Sequence, residues 1–328
     1  MQNNSKSYSS ISSFYNSNQK KINTNSYNNN NNYNQNQNKK IKSNEGSYET
    51  RTRDKDGKYE NNYTEISKYI NKELNEIDEN FLPKNWDWRD IGGKSFVHEP
   101  TKQGDCGSCY IFSIVSSLES RLRILTNNRD QTKFSRQFPL SCSFYTEGCD
   151  GGYPILVAKF FNEFEIVPER CFEYKAKNAK CSDVCDYTQN PTKYFVSRFE
   201  YLGGNYGSTN EIEIMKELRA RGPIPGNMTV PWTFSYYKSG IYSEHSLKQN
   251  TGKLSKTTLL DKNLSWSSVD HSILLVGYGE ENGTKYWIGM NTWGNHWGEQ
   301  GFFRILRGEN DCNIESMGDT ARISFTQR

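Results

Sequence analysis

The sequence has no run of about 18 apolar residues, the length that a membrane-spanning helix needs, so no membrane span is predicted. It has no marked excess of charge of one sign, because 41 Lys and Arg face 38 Asp and Glu. A nearly balanced charge gives no electrostatic reason to expect a nucleic-acid partner. The first residues, Met1–Tyr8, lack the apolar segment that is typical of a secretory signal.

The N-terminal part lacks the residues that build a core. The first 50 residues contain 15 Asn and no Leu, Val, Ala, Trp, Pro or Cys. Such a segment buries too little apolar surface to offset the entropy lost on ordering. We therefore predict a low-complexity, mostly disordered segment over residues 1–80 and a folded domain over residues 81–328. One amphipathic helix is predicted at 64–79, where apolar residues recur at helical spacing.

The cysteines are confined to the folded part, since all eight lie after residue 100. An even number in one compact region indicates disulfides and an oxidising compartment. The absence of a signal-like N-terminus points the other way. Two explanations stay open, namely that the chain is a fragment of a longer secreted precursor or that its thiols remain reduced.

The folded part divides into a helical half and a strand half. Helices are predicted over about 109–125, over 134–142 with an interruption at Pro139, over 153–166, and from a capping box at Ser208 to a stop before Gly222. Short aromatic and β-branched segments near residues 271–279, 285–291, 301–307 and 322–325 predict strands. This order predicts an α+β fold with a site between the halves, and a polar surface loop over 244–268.

One stretch is suited to nucleophilic chemistry. Gln103 to Tyr110 reads Gln-Gly-Asp-Cys-Gly-Ser-Cys-Tyr and runs directly into an apolar helical pattern. This arrangement places Cys109 in the first turn of a buried helix. Unpaired backbone N–H groups and the helix dipole there favour a thiolate. Gln103, six residues before Cys109, is placed to donate to an oxyanion together with the Cys109 N–H.

The other groups that a thiol nucleophile needs lie in the strand half. His271 follows Asp270 at the start of an apolar strand and can act as the base. Asn291, in Asn-Thr-Trp-Gly, can orient its imidazole, and Trp293 can cover that hydrogen bond. Each residue alone has an ordinary structural explanation, as half a disulfide, a core histidine or a turn residue. The order and spacing of all of them together favour catalysis. No metal site is predicted, because the cysteines lack the two C-x-x-C pairs of zinc sites and the pair Cys106 and Cys109 is better explained by a disulfide and a catalytic thiol.

These motifs resemble the papain/cathepsin family of cysteine peptidases, with Tyr110 where most members carry Trp. The resemblance covers residues 82 to about 325 and is greatest to the cathepsin C (dipeptidyl peptidase I) branch. It implies a papain-like two-domain fold, with a helical left domain, a β-barrel-like right domain and the active site in the cleft between them. The roles it implies are Gln103, Cys109, His271 and Asn291 as catalytic residues, with Cys109 and His271 as an ion pair.

Further roles follow from the same resemblance. It implies the disulfides Cys106–Cys149, Cys142–Cys181 and Cys171–Cys185, which leaves Cys312 as a spare thiol. The substrate-binding residues it implies are Gly151, Gly152, Tyr153, Asp270, Trp293 and Met317. Tyr153 and Tyr201 match positions that help to hold a chloride ion in cathepsin C; no other cofactor is expected. Met290 and the segment from Gly222 to Asn227 depart from the family pattern, and the second departure affects substrate preference.

The resulting prediction is a peptidase that cleaves peptides or proteins through a thioester acyl-enzyme. Two activities stay open, a dipeptidyl aminopeptidase and an open-cleft endopeptidase, because residues 1–80 show no pattern of the exclusion domain on which cathepsin C relies. The alternative is a catalytically silent papain-fold module that binds proteins. The resemblance and the cysteines imply a lysosome, vacuole or secretory pathway, while the sequence indicates no oligomeric state.

Overall fold

A computed structural model describes residues 77–186, 192–246 and 269–327. Its longer helices are α1 (Cys109–Leu125), α2 (Gln137–Cys142), α3 (Pro154–Glu163) and α4 (Glu211–Arg221). Short 3-10 helices lie at Glu79–Phe81, Gly148–Asp150, Glu169–Cys171, Cys181–Asp183, Trp232–Tyr236 and Asp311–Asn313. The predicted helix at 64–79 falls almost wholly outside the described residues, as do most of the segment predicted to be disordered at 1–80 and most of the predicted loop at 244–268.

The strands form two sheets. The strands are β1 (Trp86–Asp87), β2 (Thr192–Tyr201), β3 (Ile224–Met228), β4 (Ile241–Tyr242), β5 (His271–Glu281), β6 (Thr284–Met290), β7 (Phe302–Leu306) and β8 (Asp319–Gln327). The larger sheet has the order β1-β5-β6-β7-β4, with β3 also paired to β5. The smaller sheet pairs β2 with β8 in antiparallel register. The fold is the predicted papain-like α+β fold, with helices gathered before Arg221 and most strands after it.

Helix α1 is the central element of the helical half. Its apolar residues at helical spacing, among them Ile111, Ile114, Leu118 and Leu122, have no exposed surface. The helix ends where Asn127 and Asn128 adopt left-handed backbone conformations, with φ of 50° and 62°. The predicted bounds of this helix are confirmed.

Three other helix predictions need correction at their ends. Pro139 does not interrupt α2, because it lies in the first turn, where its missing N–H breaks no helical hydrogen bond. Helix α3 is shorter than predicted and runs from Pro154 to Glu163. Helix α4 is capped by Asn210 rather than by a box at Ser208, since the Asn210 side chain accepts a hydrogen bond from the Glu213 N–H.

The segment from Gly222 to Asn227 leads into a strand in spite of its prolines. Ile224–Met228 pairs with the start of β5, so that Met228 lies opposite His271 and Asn227 lies opposite Ser272. All five residues of β3 are buried. The strand therefore brings a polar side chain, Asn227, into the interior beside the first residues of β5.

The two halves pack against each other through α1. The helical half has its own apolar core around α1, α2 and α3, and the larger sheet has another. Between them, the Ser117 hydroxyl donates to the Pro223 carbonyl at 2.7 Å, and Arg121 pairs with Glu217 at 2.8 Å. These buried bonds fix α1 against the sheet half. No helix among the described residues is long and apolar enough to cross a membrane.

Candidate active site

The start of α1 is held in place by a disulfide and by a close backbone contact. Cys106 is bonded to Cys149, and the Gly107 N–H donates to the Cys149 carbonyl at 2.8 Å. A side chain at Gly107 would place its Cβ 2.6 Å from that carbonyl oxygen, so the contact requires glycine. The other two disulfides join Cys142 to Cys181 and Cys171 to Cys185. All three pairs are those that the family resemblance implies.

Cys109 is the first residue of α1 and is partly exposed. Burial of the sulfur raises the pKa of the Cys109 thiol, whereas hydrogen bonds from the backbone N–H groups of Ser272, Tyr110 and Cys109 itself lower it. The Ser272 N–H belongs to the residue that follows His271. The thiol of the helical half therefore lies against the first residues of β5 in the sheet half.

A side-chain bond one helical turn further on supports the same contact. The Ser272 hydroxyl donates to the Ser113 hydroxyl at 2.8 Å, and both serines are buried. Ser113 lies four residues after Cys109 and so on the same face of α1. This bond fixes the approach of β5 to the helix that carries the thiol.

His271 and Asn291 are hydrogen-bonded as the sequence analysis predicts. His271 Nε2 lies 2.9 Å from Asn291 Oδ1, which also accepts from the Thr292 N–H at 2.8 Å. With Nε2 donating, Nδ1 is the nitrogen left for a reacting group. The Trp293 ring lies 5.3 Å from the imidazole, between centroids, and is tilted by 33°, so that it covers this bond.

The charge states of the buried thiol and imidazole depend on opposing effects. Burial lowers the pKa of His271, while the hydrogen bond to Asn291 and the charge of Asp270 raise it. Burial thus favours a neutral thiol and a neutral imidazole. A thiolate–imidazolium pair has to overcome this effect through mutual attraction and through the N–H groups around the sulfur.

Gln103 is held from both sides of the cleft. Its Nε2 donates to the Cys106 carbonyl at 2.9 Å, its Oε1 accepts from the Thr292 hydroxyl, and its backbone N–H donates to the Thr292 carbonyl at 2.9 Å. An amide nitrogen carries two hydrogens, so one N–H of Gln103 can still serve a ligand.

Two residues that the sequence analysis missed support Gln103. Thr292 supplies both of its contacts across the cleft, and its place next to Asn291 could have indicated this role. The Tyr174 hydroxyl donates to the Gln103 carbonyl at 2.7 Å and lies 2.6 Å from the Ser108 hydroxyl. No sequence signal marked Tyr174.

The predicted substrate-binding residues lie in different environments. Gly151 and Gly152 lead into α3, and a Cβ at Gly152 would lie 2.8 Å from the ring of Tyr110. Met317 is only 1% exposed, and its carbonyl accepts from both nitrogens of Asn227. Asp270 is exposed, but its carboxylate accepts from the Val230 N–H at 2.9 Å, which gives it a structural contact.

The tyrosines predicted to hold chloride form a cluster with a third tyrosine. Tyr206 lies between Tyr153 and Tyr201, at ring-centroid distances of 6.4 and 5.3 Å. Asp319 pairs with Tyr201 across the β2–β8 sheet and is 1% exposed. Its carboxylate acts on both Tyr201 and Tyr206, and raises the pKa of each beyond the effect of burial.

One group of potential metal ligands occurs among the described residues, and it lies outside these contacts. One atom each from Glu244, Asp311 and Cys312 falls within 4.8 Å of the others. Structural zinc sites in proteins have four ligands, so these three residues do not make a complete site of that kind.

The folded core and the Cys–His–Asn arrangement define a class of thiol hydrolases, and sequence comparison identifies the family. The family described as "Papain family cysteine protease" matches residues 82–321. The chain belongs to this family of cysteine proteases.

The curated relatives point to the cathepsin C branch. The chain is 37% identical to "Cathepsin C" of Schistosoma mansoni over 242 residues, which is 72% of this chain and 51% of the relative. It is 29% identical to "Dipeptidyl aminopeptidase 1" of Plasmodium falciparum over 336 residues, covering 79% of this chain and 47% of the relative. The chain thus spans about half the length of the curated relatives it matches.

Solved structures share the fold. "Structure of digestive procathepsin L 3 of Tenebrio molitor larval midgut" matches with a TM-score of 0.58 and 26% identity, covering 73% of this chain and 70% of that one. The bromelain protease of Ananas comosus matches with a TM-score of 0.57 and 25% identity, covering 73% of this chain and 99% of that one. These matches confirm the predicted papain-like architecture.

Proposed function

We propose that this chain hydrolyses peptide bonds through a thioester acyl-enzyme formed on Cys109. The observation that carries the proposal is the 2.9 Å bond between His271 and Asn291, made at the point where β5 meets the start of α1. A nucleophile, a base and a group that orients the base are the minimum set for covalent acyl transfer.

Each residue has one role in the proposed reaction. The thiolate of Cys109 attacks the scissile carbonyl, and the oxyanion accepts hydrogen bonds from the Cys109 N–H and the second N–H of Gln103. His271 then protonates the leaving amine and later takes a proton from the water that hydrolyses the thioester. Asn291 keeps the imidazole in the required orientation, while Trp293 shields the bond between them. Gly151, Gly152 and Tyr153 bind the substrate, with Met317 at its second pocket.

The relatives support a cathepsin C-like activity. Two modes of cleavage are proposed for it. A dipeptidyl aminopeptidase removes residues in pairs from a free amino terminus, whereas an endopeptidase cleaves within chains. The core similarity favours the first. The second stays open, because the matched region covers only about half the length of those relatives. The catalytically silent, protein-binding alternative is an outcome of the same test.

Two further properties belong to the proposal. The cathepsin similarity and the three disulfides support a lysosomal, vacuolar or secretory location. Chloride binding at Tyr153 and Tyr201 would take place beside the buried carboxyl of Asp319, whose pKa burial raises to about 7. Since an ionised carboxylate repels an anion, we expect chloride to bind only at acidic pH, where Asp319 carries a proton.

The test uses two fluorogenic dipeptide substrates, one with a free amino terminus and one with a blocked terminus, under reducing conditions. Cys109→Ala should abolish turnover, while Cys312→Ala, which removes the other cysteine outside the disulfides, should retain it. Turnover of the free-amine substrate alone would support the dipeptidyl proposal, and turnover of the blocked one the endopeptidase. Equal signals from the wild type and Cys109→Ala on both substrates would refute the proposed activity.

A further inference from the structure

The hairpin that joins β5 to β6 carries a sequence motif that the proposed reaction does not use. Strand β5 ends at Glu281 and β6 begins at Thr284, so that Asn282 and Gly283 form the connection. Together with Thr284 they read Asn-Gly-Thr, which matches the Asn-x-Thr pattern that accepts N-linked oligosaccharides in secreted proteins. A motif of three residues occurs by chance, so its structural setting decides whether the folded chain can carry the modification.

The turn holds this motif at the surface. Asn282 and Gly283 have φ of 50° and 79°, and two successive positive φ values are typical of the type I′ turn that closes two-residue hairpins. Asn282, Gly283 and Thr284 are all exposed. A Cβ built on Gly283 would have no heavy atom within 4 Å other than those of its chain neighbours. The space around the middle of the motif is therefore open, as a bulky oligosaccharide requires.

A second copy of the pattern shows what the fold excludes. Residues 227–229 also match it, but Asn227 is 3% exposed. Its Nδ2 donates to the Met317 carbonyl at 3.1 Å and to the Asp319 carboxylate at 3.0 Å. An oligosaccharide on that nitrogen would break into a close-packed interior and disturb both bonds. Of the two copies that lie wholly within the described residues, the one at Asn282 is compatible with the folded chain.

The hairpin lies at the far end of β5 from the catalytic groups. His271 is the first residue of this strand and Glu281 is its last. An extended strand rises by about 3.3 Å per residue, so the tip of the hairpin is about 30 Å along the strand from the imidazole. An oligosaccharide on Asn282 would therefore leave the cleft open to peptides.

We propose that Asn282 is an N-glycosylation site. The donor is a lipid-linked oligosaccharide diphosphate of the secretory pathway. The Asn282 Nδ2 forms a bond to the first carbon of the oligosaccharide, the bond from that carbon to the diphosphate breaks, and the amide proton leaves with the lipid diphosphate. Thr284 supplies the hydroxyl by which the motif is recognised. Because the donor belongs to the secretory pathway, this inference rests on the proposed location, which the three disulfides support.

The experiment uses the full chain isolated from its own cells. Chymotrypsin cleaves after tyrosine, and cuts after Tyr278 and Tyr286 release residues 279–286, in which Asn282 is the only asparagine. Mass spectrometry should find an oligosaccharide on this peptide. A glycosidase that converts the glycosylated asparagine to aspartate, used in water containing heavy oxygen, should then label position 282. Aspartate without heavy oxygen and without an oligosaccharide would show deamidation of the Asn-Gly pair and would count against the proposal.

Matched variants distinguish the motif from the asparagine alone. Thr284→Ser keeps the motif and should keep the oligosaccharide, whereas Thr284→Ala keeps Asn282 and should lose it. Asn282→Gln should also lose it, and its kcat/KM on the two dipeptide substrates should equal that of the wild type, because the hairpin is remote from His271. An oligosaccharide retained on the peptide of Thr284→Ala would overturn the assignment.

Two negative outcomes lead to different conclusions. An unmodified Asn282 in a chain whose six paired cysteines are oxidised would overturn this inference and leave the proposed location intact. An unmodified Asn282 in a chain whose cysteines are reduced would refute both. Neither outcome bears on the proposed reaction, which the turnover of the two dipeptide substrates tests separately.

Discussion

Replacing Asn291 with alanine tests the catalytic arrangement most directly. The substitution removes the oxygen that lies 2.9 Å from His271 Nε2, in a place where Asn291 is 1% and His271 9% exposed. The imidazole that protonates the leaving amine is positively charged, and a hydrogen bond from a charged group contributes about 1.5–3 kcal/mol. We therefore expect kcat/KM to fall by about 10- to 150-fold, since about 1.4 kcal/mol corresponds to a factor of ten.

The kinetic parameter that falls in Asn291→Ala, and its pH dependence, are as informative as the size of the fall. The fall should appear mainly in kcat, because Asn291 contacts the imidazole and acts on the reaction through it. Since the bond to Asn291 raises the pKa of His271, the limb of the pH–rate profile that reports loss of the imidazolium should move to lower pH. Steady-state kinetics over a pH series measure both effects, and circular dichroism verifies the fold.

The control is Asn295→Ala, an exposed asparagine four residues further along the same loop. Its kinetics should match those of the wild type. A folded Asn291→Ala protein with activity within about threefold of the wild type and an unshifted profile would refute the orienting role of Asn291, because a buried bond to a charged group contributes more than this.

Two further predictions concern stability. Burial opposes the charge of Glu119, but Arg136 and His98 lower the pKa of this buried carboxyl to about 2. Glu119→Gln should lower the free energy of unfolding in urea by about 3–5 kcal/mol, because it leaves Arg136 buried without its counter-charge. As a control, Asp87→Asn removes one partner of a half-exposed ion pair and should lower it by at most about 1 kcal/mol. The stabilisation by Glu119 is present above about pH 4.5 and is lost as the pH falls towards 2. If the free energies of unfolding of the wild type and Glu119→Gln fell equally over this pH range, the role of Glu119 would be contradicted. Gly107→Ala should cost about 1–3 kcal/mol and lower the Tm, since its Cβ would lie 2.6 Å from the Cys149 carbonyl oxygen; an unchanged Tm would show that the loop can move away.

The fold was predictable where local pattern and tertiary contact agree. Helix α1 has apolar residues at helical spacing that all point into one core, so its bounds followed from the sequence. The start of α4 did not follow from the sequence, because Ser208 and Asn210 are both suitable N-cap residues. In the structure the cap is Asn210. The strand at Ile224–Met228 was hidden by its prolines. On the side away from β5, an isolated bridge joins Gly226 to Gly318.

The residues of the site also differ in whether the sequence alone could indicate them. The positions of Cys109, His271 and Asn291 were predictable because each stands at the end or start of a recognisable element. Thr292 and Tyr174, which hold Gln103, were not, since ordinary polar residues acquire such a role only through contacts between distant segments.

The same reasoning explains why Asp319 was missed and why it is informative. In the sequence it is one acidic residue at the start of a strand, where exposure would be the default expectation. Only the structure shows that it is 1% exposed, lies opposite Tyr201 and is bonded to Asn227. A carboxylate kept in such a position reduces stability unless a ligand offsets the cost. Asp319→Leu should therefore raise the free energy of unfolding in urea, and a lower value than that of the wild type would contradict this argument.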